Sequence, residues 1–184
     1  NAKGRKLTSL EVHDLVCMIG EIVVVGGVRR SALISLSNLT DRRMREAKIG
    51  AWYDETPWRG LANNSVAYTE KPDMEVFMDE WLSLVKSKSG ERGIFNRVAS
   101  QKQAVKQGRL PDLNYGTNPC SEIILRDKQF CNLTECVVRV DDTKESLLEK
   151  VRLATILGTF QSTLAKFQFL SQEWVKNTTE ERLL

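Results

Sequence analysis

The sequence predicts a mixed α/β fold, and three observations predict it. Short β-branched runs alternate with longer segments whose apolar residues recur at helical spacing, glycines and prolines punctuate the joins, and no repeat or low-complexity tract divides the chain. The alternation favours an α/β barrel or layered sheet over a helix bundle or a sandwich. A chain of 184 residues with 41% hydrophobic and 28% charged residues suits one packed domain and excludes a disordered or collagen-like chain.

The elements follow in order. Thr8-Ser9-Leu10-Glu11 has the form of a capping box, and Leu15, Ile19 and Ile22 continue at helical spacing, which predicts a helix over about 9–20. Ile22-Val23-Val24-Val25 reads as a strand buried on both faces, Gly26-Gly27 breaks it, and the extended pattern resumes over Ala32-Leu33-Ile34-Ser35-Leu36. Residues 40–48 read as a short charged helix. The stretch 52–64, with Pro57 and Gly60, reads as irregular loop before a strand over 65–68. After Pro72, the residues Met74, Phe77, Met78, Trp81, Leu82 and Val85 form one apolar stripe, which predicts a helix with that stripe in the core. Gly90 stops it, 93–96 is a strand end, and 97–107 is a polar helix ended by Gly108. Residues 110–117 are loop, 123–125 and 136–140 read as strands, and a long helix over 144–168 closes the pattern.

Several function classes are excluded early. Lys and Arg number 27 against 24 Asp and Glu, and a net charge of +3 spread this evenly does not point to nucleic acid, although phosphate ligands stay open. The single histidine, His13, rules out two-imidazole mechanisms and HExxH zinc sites on this chain, and its place on a polar helix face suggests no catalytic duty. Cys17, Cys120, Cys131 and Cys136 form no CxxC pair, so neither a metal site nor disulfide stapling is expected, and Cys17 and Cys136 read as packing residues. No apolar run approaches the roughly 18 residues of a membrane span, and the first residues lack a signal-peptide core, so a cytoplasmic protein with no membrane partner is expected. The Asn-x-Thr triplets at Asn38 and Asn132 are then chance matches. The missing initiator Met and the apolar end at Leu183-Leu184 predict an internal fragment.

Chemistry concentrates at Thr117-Asn118-Pro119-Cys120-Ser121-Glu122. In extended backbone side chains alternate, so Asn118, Cys120 and Glu122 are expected on one face. There the carboxylate can take a substrate hydroxyl's proton and the amide can orient that hydroxyl, with sulfur close enough to react. The competing reading is a buried structural cysteine beside a turn. Gly26-Gly27-Val28-Arg29-Arg30 reads by itself as a glycine turn with two solvated arginines. Asn63 and Asn64 are either loop-capping amides or part of a ligand's surroundings, and Trp52 and Trp58 either pack or stack on a ring.

Gly116-Thr117-Asn118-Pro119-Cys120-Ser121-Glu122-Ile123, with Cys131-Asn132-Leu133 eleven residues after its cysteine, resembles the active-site finger loop of ribonucleotide reductase catalytic subunits. Val24 to Ala32 and Leu61-Ala62-Asn63-Asn64-Ser65-Val66 resemble further segments of the adenosylcobalamin-dependent branch, particularly its ribonucleoside-triphosphate reductases. The resemblance implies that residues 1–184 are a central part of the reductase-type α/β barrel, inactive alone. It implies that Cys120 becomes a thiyl radical removing the ribose 3′ hydrogen, that Glu122 deprotonates the 3′ hydroxyl, and that Asn118 hydrogen-bonds the substrate hydroxyls. Cys131 matches one member of the reducing cysteine pair, and no other cysteine of this chain fits its partner. Gly26, Gly27, Arg29 and Arg30 fall in the loop between a dNTP effector and the substrate base, with Arg30 contacting base or phosphate. The implied cofactor is adenosylcobalamin, the substrate a ribonucleotide, and the reductant of thioredoxin type. Two alternatives stay open: a class I ribonucleoside-diphosphate reductase large subunit, and a non-catalytic nucleotide-binding regulator with the same fold.

Overall fold

The structure, a computed structural model, describes residues 3–25, 27–29, 31–111 and 114–184. Its first helix, α1 (Ser9–Glu21), begins at the predicted capping box: the Thr8 hydroxyl accepts from the Glu11 N–H, and the Glu11 carboxylate accepts from the Thr8 N–H. The short strands β1 (Val24–Val25) and β2 (Val28–Arg29) pair antiparallel, Val25 opposite Val28, and Gly27 takes φ +74°, a conformation that glycine adopts without strain. The extended run that follows does not join this hairpin. It forms β3 (Leu33–Ser37), which belongs to a different sheet.

Between β3 and the next strand lie α2 (Arg42–Arg45), capped by the Asp41 carboxylate, α3 (Trp52–Glu55) and a 3-10 turn over Pro57–Leu61. The predicted 40–48 helix is therefore a single turn, and the predicted irregular stretch carries two short helical turns. The strand β4 (Ala62–Tyr68) starts ahead of the expected Ser65, because Ala62, Asn63 and Asn64 pair with Leu33, Ile34 and Ser35. The helix α4 (Met74–Ser87) then returns the chain to β5 (Gly93–Asn96), and β3-β4-β5 form a parallel sheet with β4 in the centre. Among the described residues the sheet has three strands and does not close into a barrel.

One face of this sheet rests on α1. Leu33 and Ala62 meet Cys17 and Leu61, with Trp58 packed beside them. The approach is close enough that a Cβ at Gly20 would collide with the Leu61 side chain. His13, expected on a polar face, is instead 7% exposed, its Nε2 lying 2.9 Å from Asn64 Oδ1 on β4. Burial of this turn of α1 also places the Cys17 sulfur 3.8 Å from His13 Nδ1. Trp52 meets Tyr53 edge-on and lies under the Lys48 ammonium, so both tryptophans of this region pack within the protein.

The apolar stripe of α4 is not core. Met74, Met78, Trp81, Leu82 and Val85 are exposed, while Glu80 is 2% exposed. A fork of ionic hydrogen bonds orients the helix: Arg92 donates to both Glu80 oxygens at 2.6 and 2.8 Å, and Arg45 adds another at 2.8 Å. Arg92 also donates to the Ser37 hydroxyl and to the Asn38 and Leu39 carbonyls, tying α4 to the end of β3.

After α5 (Arg97–Lys106), ended at Gly108 with φ +79°, the short strands β6 (Gly116–Thr117) and β7 (Ile124–Leu125) pair antiparallel. The predicted strand over 136–140 does not form; Val137, Val138 and Val140 are exposed, and a β-branched run with no neighbour to pair with stays irregular. The helix α6 (Lys144–Ser162) stops short of residue 168, its last hydroxyls, on Ser162 and the C-cap Thr163, turning back to the Thr159 and Phe160 carbonyls. A helix the pattern did not show, α7 (Gln172–Glu181), follows with Ser171 at its N-cap.

Candidate active site

The hairpin β6–β7 carries the motif of 118–122 at its tip. Asn118 N–H donates to the Ile123 carbonyl at 3.2 Å, and Ser121 N–H donates to the Asn118 carbonyl at 3.0 Å, which folds Asn118-Pro119-Cys120-Ser121 into a β-turn. Pro119 presets the second position of the turn, and Ser121 takes φ +71°. Because this backbone turns, the expected alternation of faces does not hold. Asn118 faces inward, 5% exposed, and its Oδ1 accepts from the Ile123 N–H at 3.0 Å and from the Thr117 hydroxyl at 3.3 Å. Cys120 and Glu122 are exposed. The amide is thus a clasp at the neck of the hairpin, and the thiol and carboxylate stand beyond it at the tip.

Two elements hold the hairpin in place. From the sheet, Asn63 Nδ2 donates to the Pro119 carbonyl at 2.7 Å, and Gly116 lies against Leu36 of β3. Pairing in β3–β4 puts Leu36 beside Ser65 and Ile34 beside Asn63, so the finger meets the sheet face opposite α1. From the other side, Arg109 donates to the Ile124 carbonyl at 2.7 Å, to Gln129 Oε1 at 2.9 Å and to Glu181 of α7. Arg126 continues this network to Asn177, Glu180 and Glu181, and the Arg109 guanidinium lies 4.8 Å from the centre of the buried Tyr115 ring. Sequence reasoning missed Arg109, Arg126, Gln129 and α7. The readable signal was Ser171 followed by Glu173, an N-cap and a first-turn acid.

Cys131 is half-buried in a segment that forms neither helix nor strand. Leu184 brackets it, donating its N–H to the Phe130 carbonyl and accepting from the Asn132 N–H. The Phe130 ring packs against Phe167 and Trp174 at 4.8 and 4.6 Å between centres. Burial pushes the Cys131 thiol up from its ordinary value, and the Glu122 carboxylate pushes it further, so the structure brings Cys131 within electrostatic reach of the finger tip. All four cysteines are free thiols.

The remaining predicted site residues are placed only in part. Gly26 and Arg30 lie outside the described residues, Gly27 occupies the turn, and Arg29 lies in β2 opposite Val24. Asn63 and Asn64 point to opposite faces of β4: Asn63 caps the finger, and Asn64 meets His13 while its backbone N–H donates to Glu91 at 2.8 Å. Among the described residues no group of three or more His, Cys, Asp or Glu could hold a metal ion, and no helix is long and apolar enough to cross a membrane.

An adenosylcobalamin-dependent ribonucleoside-triphosphate reductase from Lacticaseibacillus paracasei is 34% identical over 143 residues, covering 72% of this chain and 18% of that protein. Its counterpart from Levilactobacillus brevis is 33% identical over 157 residues, covering 81% and 20%. Cobalamin-dependent ribonucleoside-triphosphate reductases are its relatives. The reductase of the same name from Lactobacillus leichmannii is 32% identical over 146 residues, covering 73% and 18%. The chain spans about a fifth of the length of these reductases. No family model and no solved structure matches it.

Proposed function

We propose that this chain is a central segment of an adenosylcobalamin-dependent ribonucleoside-triphosphate reductase, an oxidoreductase, and that it carries the finger on which the reaction runs. The supporting observation is the coincidence of reductase relatives with a sheet-anchored hairpin whose tip exposes Cys120 beside Glu122. When bound, adenosylcobalamin supplies the radical. What fits that chemistry here is the receiving side, an exposed thiol at a fixed tip. The chain's single imidazole is committed to Asn64 and is given no part in holding the cofactor.

In this reading Cys120, as a sulfur radical, takes the 3′ hydrogen of the ribose in a nearly balanced exchange. Glu122 accepts the proton of the 3′ hydroxyl, which favours loss of the neighbouring 2′ oxygen as water. Asn118 uses its oxygen to close the hairpin and its amide nitrogen to orient a substrate hydroxyl. Cys131 and a partner thiol outside this chain give up two electrons and end as a disulfide. The sum is ribonucleotide plus dithiol to deoxyribonucleotide, disulfide and water. A thioredoxin-type reductant restores the dithiol, and the loop of Gly26, Gly27, Arg29 and Arg30 links a dNTP effector to the substrate base. Remaining strands of the longer protein complete the barrel around the finger and exclude water from the radical.

The test is turnover by the full-length protein with and without adenosylcobalamin, beside a Cys120→Ser variant. Reduction of ribonucleoside triphosphates that requires both the cobalamin and Cys120 is the expected result. Turnover in Cys120→Ser refutes the radical role, and turnover without the cobalamin moves the protein to another branch of the family.

A further inference from the structure

We infer that Asn63 is a positioning residue for Cys120, a role that rests on the reading of Cys120 as the reacting sulfur. Its Nδ2 donates at 2.7 Å to the Pro119 carbonyl, and that carbonyl belongs to the peptide unit whose nitrogen is that of Cys120. A peptide unit is planar from one Cα to the next, so holding its oxygen orients the Cys120 N and Cα together. The sulfur position then depends on the Cys120 φ and on one side-chain torsion.

The donor stands on sheet backbone. β4 is the central strand; Asn63 pairs with Ile34 of β3, and two residues further on, from Ser65, the strand is paired with β5 as well. Asn64 is pinned separately, its N–H by Glu91 and its side chain by His13. The finger itself is short, with two ladder pairs at its base and a turn at its tip that includes Ser121 at positive φ. Such a tip has little stiffness of its own, and the sheet supplies it through Asn63. Both Asn63 and Cys120 are exposed, so this hydrogen bond fills no cavity and supports no core. Its consequence is geometric. Only the amide nitrogen can serve, because the acceptor is a carbonyl; an aspartate of the same shape would set oxygen against oxygen.

The experiment uses the full-length protein with Asn63→Ala and Asn63→Asp. Three readouts are taken: the melting temperature, kcat and KM for ribonucleoside-triphosphate reduction with adenosylcobalamin, and the rate at which a maleimide labels Cys120 in the resting enzyme, read by peptide mass spectrometry. Both variants are expected to melt close to the parent, to lose about tenfold to a hundredfold in kcat with KM unchanged, and to label faster at Cys120. Unchanged kcat and unchanged labelling in Asn63→Asp overturn the inference, as does a loss confined to KM or to melting temperature. Labelling needs no turnover, so the two ideas fail separately. A parent protein that does not reduce ribonucleotides refutes the reductase reading, whereas an active parent whose Asn63→Asp variant matches it refutes the tether.

Discussion

Two effects act on the Cys131 sulfur in the same direction: burial disfavours its thiolate, and the nearby negative charge of Glu122 disfavours it further. Removing that charge leaves burial in place but lowers the thiol's pKa, so more thiolate exists at any given pH. Glu122→Gln is therefore expected to shift the pH profile of Cys131 alkylation toward lower pH, and an unmoved profile would separate Cys131 from the finger tip. Asn118 makes a different kind of contribution. Asn118→Ala leaves the Ile123 N–H without its side-chain acceptor at the hairpin neck, a loss of about 1–3 kcal/mol. Faster amide hydrogen exchange at Ile123, with a lowered denaturation midpoint, is the measurement that checks it.

At the scale of elements, α4 shows how one buried ionic fork outweighs a stripe of apolar residues. Burial alone would raise the Glu80 carboxyl, but its hydrogen bonds and charge pairing with Arg92 and Arg45 hold it below its ordinary value of 4.5. Truncation to Glu80→Ala leaves Arg92 buried without its counter-ion, and a destabilisation of about 3–5 kcal/mol is expected in denaturant unfolding. The sign of the pH dependence follows from the direction of the shift. A carboxyl depressed in the folded state contributes its full stability above the unfolded value and loses it as pH falls through the folded one. The unfolding midpoint should therefore drop as pH falls below about 4.5, and drop less steeply in Glu80→Gln.

Across the whole molecule, apolar surface is distributed in a way that a self-sufficient domain avoids. Trp81, Leu82 and Val85 of α4 are exposed, and so are Leu148, Ile156, Leu157 and Phe160 of α6. The 184-residue polypeptide expressed by itself is expected to self-associate and to bind a hydrophobic dye. A Met78→Lys, Trp81→Lys double variant is expected to reduce both, measured by light scattering after gel filtration. A strictly monomeric, dye-silent polypeptide would contradict the exposure of these faces.

Local chemistry made several features legible in advance. The capping box at Thr8 and Glu11, the stop at Gly108 and the strand end over 93–96 each depend on neighbours within a few residues. Periodicity showed that α4 has an apolar side but not which side faces the sheet, since that depended on Arg92, twelve residues beyond Glu80. The orientation of His13 and the failure of 136–140 to pair share that cause, because each depends on a distant partner present or missing. What the residues determined by themselves was the candidate chemistry, a thiol and a carboxylate two positions apart behind a proline. What only the tertiary structure decided was where that thiol stands: a sheet amide from 56 residues upstream takes hold of the tip, and no pattern of spacing encodes a hydrogen bond that exists only after the chain has folded back on itself.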